Sequence, residues 1–173
     1  MRWIFVFLIT LLFLGCVQIN GTTNKTVTPE PTKSPKNLTE LVKENLQPFD
    51  GFEYDNISVK IDGDRILVKA TCSELDGEDV YLFAYDNGTL TLKSYCLEAL
   101  PLALKEKAVS VALTNETIAE NANGIVTVRR ILPHTSAKFY IPKELFSVTW
   151  HGSRIVSALV DLEEERVVEV YVK

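Results

Sequence analysis

Two histidines, His134 and His151, and three cysteines, Cys16, Cys72 and Cys96, are all that 173 residues offer toward metal or thiol chemistry. No CxxC or HExxH occurs, no GxGxxG or Walker loop, and no GxSxG elbow. These absences remove the motif-bearing zinc hydrolases, dinucleotide enzymes, nucleotide hydrolases and serine hydrolases, so neither catalysis, cofactor nor metal is expected. Basic residues are also outnumbered, 18 to 23, giving a net charge of -5. That balance argues against nucleic acid as a partner and against a polybasic hold on anionic lipid. Glutamine is confined to Gln18 and Gln47, and Met1 is the only methionine, a slant found in heat-adapted proteins. The acidic loops Asp62/Asp64 and Asp76/Glu78/Asp79 lack calcium-loop spacing and read as solvated turns, as does Glu163-Glu164-Glu165.

Long apolar runs are scarce too, and the one present stands at the N-terminus. Arg2 supplies a positive charge, and Trp3 to Leu14 form twelve residues interrupted only by Thr10. A membrane-spanning helix needs about 20 apolar residues, so residues 1–15 read as a secretory signal rather than a permanent span. The end of this run, Phe13-Leu14-Gly15-Cys16, resembles the lipobox of prokaryotic lipoproteins. The resemblance implies cleavage before Cys16 and acylation of that cysteine, with two acyl chains sufficing for stable anchoring. A plain signal peptide or an uncleaved anchor is the alternative. Loss of Arg2 with the signal would leave a charge of -6.

Asparagine is used selectively: six of nine asparagines, Asn20, Asn24, Asn37, Asn56, Asn87 and Asn115, open an Asn-x-Ser/Thr sequon. Composition alone predicts about one, so these are candidate glycosylation sites and imply export. A lipobox together with dense sequons resembles the envelope proteins of archaea, which places the chain on the extracellular side of a cell membrane. Residues 16–36 contain a Thr/Pro/Asn-rich tract, Asn20 to Lys36, whose one large apolar residue is Val27. Such a tract cannot bury a core and reads as a stalk, spanning about 20 to 25 Å as a coil and about 50 Å if extended.

Folding signals begin at Asn37-Leu38-Thr39-Glu40, an N-cap pattern followed by Leu41, Val42 and Leu46 on one face until Pro48. The period then becomes two. Ile57, Val59 and Ile61 alternate with polar residues, and Ile66, Val68 and Ala70 resume the pattern after Gly63-Asp64, which suits a type II′ hairpin. Val80 to Tyr85 and Thr89 to Tyr95 form two further strands joined at Asp86-Asn87-Gly88. Between Leu97 and Asn123 a helix from about Glu98 to Leu113 is expected, with Leu102, Val109 and Leu113 on one stripe, then a break at 114–117 and a short helix to Ala122. Strands are expected at Ile125 to Leu132, Leu145 to His151, Ile155 to Leu162 and Val167 to Val172, with a short edge strand at Phe139 to Ile141. Arg129 and Arg130 must then point to opposite faces, one at an edge or paired with a carboxylate.

The two halves, 37–96 and 97–173, echo each other. A shift of 89 residues lays ISVKIDGDRI (Ile57 to Ile66) on FSVTWHGSRI (Phe146 to Ile155) with five identities in ten. The expected fold class is therefore α+β: a helix followed by an antiparallel meander, duplicated, with helices on one face of the sheet. The second half, with ALKEKAVSVAL and then strands ending VSALVDLEEERVVEVYV, resembles the PepSY-like domains of secreted and membrane-attached microbial proteins. That resemblance implies tandem PepSY-like units forming a non-catalytic module that restrains peptidases.

Two cysteines in an exported chain suggest a Cys72–Cys96 disulfide. In a plain meander they end strands two spacings apart, about 9.6 Å, so the bridge requires the chain to curl past the strand ends. With Gly152-Ser153 as a two-residue turn, Phe146, Val148, Trp150, Ile155 and Leu159 share the helix-packed face. Arg154, Val156, Ala158, Val160 and Tyr171 then lie opposite, an expected partner-binding face unless the first half or a loop covers it, and a one-residue slip would exchange the two faces. The sequence thus describes a tethered, glycosylated module that meets an envelope protein or peptide, with a lipoprotein acting on a small molecule as the alternative.

Overall fold

The computed structural model describes residues 17–18, 37–136 and 142–173. Cys16, Asn20, Asn24, most of the stalk and the expected strand at 139–141 lie outside the described residues. Described elements follow in chain order: β1 (Val17–Gln18), α1 (Leu38–Glu44), β2 (Asn56–Asp62), β3 (Arg65–Thr71), β4 (Asp79–Asp86), β5 (Thr89–Leu97), α2 (Leu102–Ala112), α3 (Glu116–Asn121), β6 (Ile125–Ile131), α4 (Pro133–Ser136), β7 (Leu145–His151), β8 (Ile155–Asp161) and β9 (Arg166–Val172). The class is α+β, with strands predominating and helices short. Among the described residues no helix is long and apolar enough to cross a membrane.

Two antiparallel sheets result, ordered β1-β5-β4-β3-β2 and β6-β7-β8-β9. The described residues divide into two compact units, one of residues 17–18, 37–46, 59–68 and 80–96, the other of residues 47–58, 69–79, 97–136 and 142–173.

In the first unit, Asn37 caps α1 by accepting a hydrogen bond from Thr39 N at 3.3 Å, and Leu41 and Val42 turn inward. The turn at Gly63-Asp64 has Gly63 at φ 61, the positive value that a type II′ hairpin demands at its first central residue. Asn87 and Gly88 both take positive φ, 48 and 82, and close the β4–β5 hairpin in the I′ manner. Alternation survives in β3, where Ile66 and Val68 are buried, while Ile61 of β2 is 58% exposed. Tyr81 and Phe83 stack with centroids 6.0 Å apart.

The second unit owes its core to the pairing of β6, β7 and β8. Val128 lies opposite Val148, and Phe146, Val148 and Trp150 lie opposite Val160, Ala158 and Val156. These seven residues cluster with Ala108, Val111 and Ala112 of α2 and Ile118 of α3. Small alanines let α2 approach its neighbours closely, so Ala108, Val111 and Ala112 form its buried face. Of the expected stripe, Val109 packs against this cluster, whereas Leu102 is 61% and Leu113 42% exposed.

The β7–β8 hairpin corrects the expected register. His151 pairs with Ile155, so the loop holds three residues, 152–154, instead of two. One extra loop residue moves every β8 side chain to the other face. Val156, Ala158 and Val160 are consequently 0% exposed and belong to the core, and the expected partner-binding face is not a surface at these positions. Arg154 is exposed in the loop and Tyr171 half-buried on β9 opposite Ser157.

The paired hairpins of the sequence echo also hold different places in their sheets. Ile57 to Ile66 spans the first and second strands of one four-stranded meander, Phe146 to Ile155 the second and third of the other.

Candidate functional site

Within the second unit the side of α2 and the free side of β6 enclose an open groove of about 580 Å³. Pro101 precedes α2 as its N-cap residue, its fixed φ of -55 leading the chain into the helix. From α2 come Leu102, Lys105, Glu106, Val109 and Ser110; from β6 come Val126, Thr127 and Val128; Asp76, Gly77 and Glu98 close one end. Asp76 is held there by an isolated bridge to Leu100, with hydrogen bonds of 3.0 and 3.1 Å in the two directions. Gly77 has φ 98, and a Cβ on it would lie 2.5 Å from the Glu98 carbonyl oxygen, so this corner accepts only glycine. Lys105 Nζ reaches Asp76 Oδ2 at 2.7 Å and Asp76 O at 2.8 Å, and Arg129 Nε donates to Glu98 Oε1 at 2.7 Å. The charges at the groove are therefore largely engaged with one another. Glu106 is exposed, as are Leu102 and, at 40%, Val126.

A second concavity is lined by Phe49, Asp50, Phe52, Arg130, Leu132 and Glu144, among others. Arg130, 4% exposed, donates to Pro48 O at 3.1 Å and to Gln47 O, lies 5.7 Å over the Phe49 ring, and stands 3.7 Å from Glu144. Both strand arginines thus meet carboxylates, where the sequence led to that expectation for one. Burial raises the Glu144 carboxyl above the usual range, opposed by the Arg130 charge.

Two buried carboxylates escaped the sequence reading. Asp79, taken for a solvated loop residue, is 0% exposed; its carboxylate accepts from Tyr54 Oη at 2.5 Å and Ala99 N at 2.8 Å. Burial raises its pKa, against the pull of Tyr54, Ala99, Arg130 and Glu98. Asp161, 1% exposed, accepts from Glu163 N and Glu164 N at 3.1 Å each and pairs with Lys143 at 2.6 Å. Here burial pushes up, yet Lys143 and the two amides prevail and the carboxyl lies below its ordinary value. An aspartate placed two and three residues before turn amides was the available signal for Asp161. Nothing local could have marked Asp79, whose partners lie 25 and 20 residues away.

The remaining expected sites are spread over the chain. Asn37 and Asn56 are exposed, and Asn87 is exposed at a hairpin tip. Asn115 is half-buried as the cap of α3, accepting from Ile118 N at 3.3 Å through the carbonyl oxygen, which leaves Nδ2 as the atom a glycan would take. No disulfide joins Cys72, which is buried, to Cys96, which is half-buried. Their strands, β3 and β5, are separated by β4, the two-spacing gap that direct bridging cannot cross. His151 is exposed, its Nε2 3.1 Å from Thr127 Oγ1, and His134 is exposed on α4. Among the described residues no three His, Cys, Asp or Glu side chains are grouped to hold a metal. Comparison with protein-family models, with curated proteins and with solved structures gives no match to this chain.

Proposed function

We propose that the protein is a non-catalytic interaction module displayed on the extracellular side of a cell membrane, tethered by a lipid on Cys16 and glycosylated at its sequons, which binds an envelope protein or peptide. The observation that carries this reading is the groove beside α2. Its walls are apolar at Leu102, Val109, Val126 and Val128, it is open along its length, and apart from Glu106 its charged groups are tied into the ion pairs Lys105–Asp76 and Arg129–Glu98. Catalysis of acid–base or nucleophilic type needs groups converging on one reacting point, and a deep pocket suits a small molecule; an open apolar trough with a polar rim suits a polypeptide. The exposed positions of Asn37, Asn56 and Asn87 support the glycosylated reading, since the transferase needs an accessible side chain.

A tandem of PepSY-like units is part of the same proposal. It is supported by the order of elements, a helical segment and then four meandering strands in each half, and not by the hairpin echo, whose members fall on non-equivalent strands. A peptidase-restraining role is the form of binding that the resemblance implies.

The test is crosslinking in native membranes followed by mass spectrometry of the extracted protein. A reproducible protein or peptide neighbour is the expected result. A chain that crosslinks to nothing but copurifies with a bound small molecule, seen by native mass spectrometry, overturns the reading.

A further inference from the structure

We propose that β6 is a docking edge at which an extended peptide bearing apolar and basic side chains adds as a fifth strand; this rests on the interaction-module reading and gives it a site. Ile155 and Lys173 exchange both backbone hydrogen bonds, Ile155 N to Lys173 O at 3.2 Å and Lys173 N to Ile155 O at 2.9 Å. In an antiparallel ladder the two backbone groups of a residue face the same neighbour, and consecutive residues face opposite neighbours. Val156 therefore faces β7, where its partner is Trp150; Thr149 and His151 face β6, where their partners are Thr127 and Ile125. With no irregularity between β6 and β7, the N–H and C=O of Val126 and Val128 face away from the sheet.

Beyond β6 no strand follows among the described residues, and both valines line the groove. At the far end Arg130 is covered by Gln47 and Pro48, so the open template is the short stretch 125–128. An incoming strand would place its α2-side residues against the half-buried Val109 and against Leu102, which is 61% exposed because α2 packs through Ala108, Val111 and Ala112. An exposed strand edge is costly unless blunted by charge, proline or a bulge, and Ile125, 74% exposed, and Val126 carry none of these. The charge of the occupant follows from the lining: three carboxylates, Asp76, Glu98 and Glu106, against the single amine of Lys105. Arg129 neutralises Glu98, which leaves the exposed Glu106 as the acceptor for a lysine or arginine of the peptide. Backbone pairing at an edge with a side-chain pocket beside it is the recurrent mode of peptide capture by strand addition.

The test uses the full chain in detergent and, as probe, a fluorescent ten-residue peptide alternating valine and lysine. Saturable binding is expected, with slowed amide exchange at Val126 and Val128 and no change at Thr127. A counterpart N-methylated throughout, of equal charge, and a valine–glutamate counterpart should each bind at least tenfold more weakly. Val126→Pro removes an outward N–H on an edge strand, where proline is tolerated, and should lower affinity at least tenfold at unchanged helical and strand signal. Leu102→Asn, a neutral polar change at an exposed helical position, should do the same and decides the matter if the proline variant fails to fold. Binding that survives both substitutions, or protection away from β6, overturns the proposal. A dimer that Val126→Pro converts to monomer would show a second copy on this edge and also overturn it. If Val126→Pro keeps its crosslinked membrane neighbour, the edge assignment fails while the interaction module stands; if the unaltered chain has no neighbour, the module itself fails.

Discussion

Asp79 and Asp161 are carboxylates withdrawn from water, and their neighbours move them in opposite directions. Asp79 is raised, chiefly by burial. Its folded value lies above its unfolded one, so stability is full below the ordinary carboxylate range and falls as pH rises through the folded value. Asp79→Asn, which keeps the acceptor for Ala99 N, is expected to match the parent at about pH 4 and to exceed it at about pH 7, as urea unfolding at both values would measure. A variant that loses stability more at neutral than at acid pH would contradict this. Asp161 is lowered, because Lys143 and two turn amides outweigh burial. Its contribution is present above its unfolded value and is lost as pH falls through the folded one. Asp161→Asn should therefore cost about 1–3 kcal/mol near pH 7, and the deficit should shrink on acidification. Opposite pH signatures from two buried aspartates separate these causes from any general effect of acid. The difference was half legible in sequence: Asp161 has its amide partners two and three positions on, whereas the partners of Asp79 are assembled by the fold.

At the scale of elements, the hydrophobic period located nearly every strand and helix to within a few residues, and the cap and turn residues Asn37, Gly63, Asn87 and Asn115 marked their ends. What the period could not decide was loop length at Gly152. A two-residue and a three-residue loop fit His151-Gly152-Ser153-Arg154 equally well, and the choice lies in a contact from elsewhere: Asn123 Oδ1 accepts a hydrogen bond from Ser153 N at 3.1 Å. The same asparagine presses on Gly152, where a Cβ would lie 1.7 Å from Asn123 Oδ1 and 2.5 Å from Asn123 O. Gly152→Ala is accordingly expected to destabilise by about 1–3 kcal/mol, with a lowered melting temperature as its sign. The resulting register buries Val160 against Phe146, so Val160→Lys forces an ammonium into the apolar cluster and should cost about 3 kcal/mol or more. A Val160→Lys protein that melts near the parental temperature would return β8 to the opposite face. The helix α2 taught a related lesson. Hydrophobicity alone selects the stripe Leu102, Val109 and Leu113, but only Val109 reaches the core while Leu102 and Leu113 stay exposed, because the helix seats its Ala108–Val111–Ala112 side, where the small alanines allow close approach.

For the whole molecule the decisive residues are those nearest the N-terminus, where the argument is chemical. On the proposed reading, Gly15-Cys16 at the end of a twelve-residue apolar run would offer a thiol for acylation, and the Thr- and Pro-rich sequon-bearing tract that follows would act as a spacer. In the proposed arrangement the tether and the groove would complement one another: a module held near a membrane would meet extended segments of neighbouring proteins at high effective concentration, so even a short edge such as 125–128 would not need high intrinsic affinity. Intact-mass analysis of membrane-extracted protein is expected to show a chain beginning at an acylated Cys16, with glycan-sized increments that vanish one at a time as Asn37, Asn56 and Asn87 are replaced by glutamine. Cys16→Ser removes the thiol that acylation would use and should move the protein from the membrane fraction to the medium. A chain retaining unmodified residues upstream of Cys16 would end the lipoprotein reading. It would leave the β6 edge untouched, since that site stands on the parity of the second sheet and the lining of its groove alone.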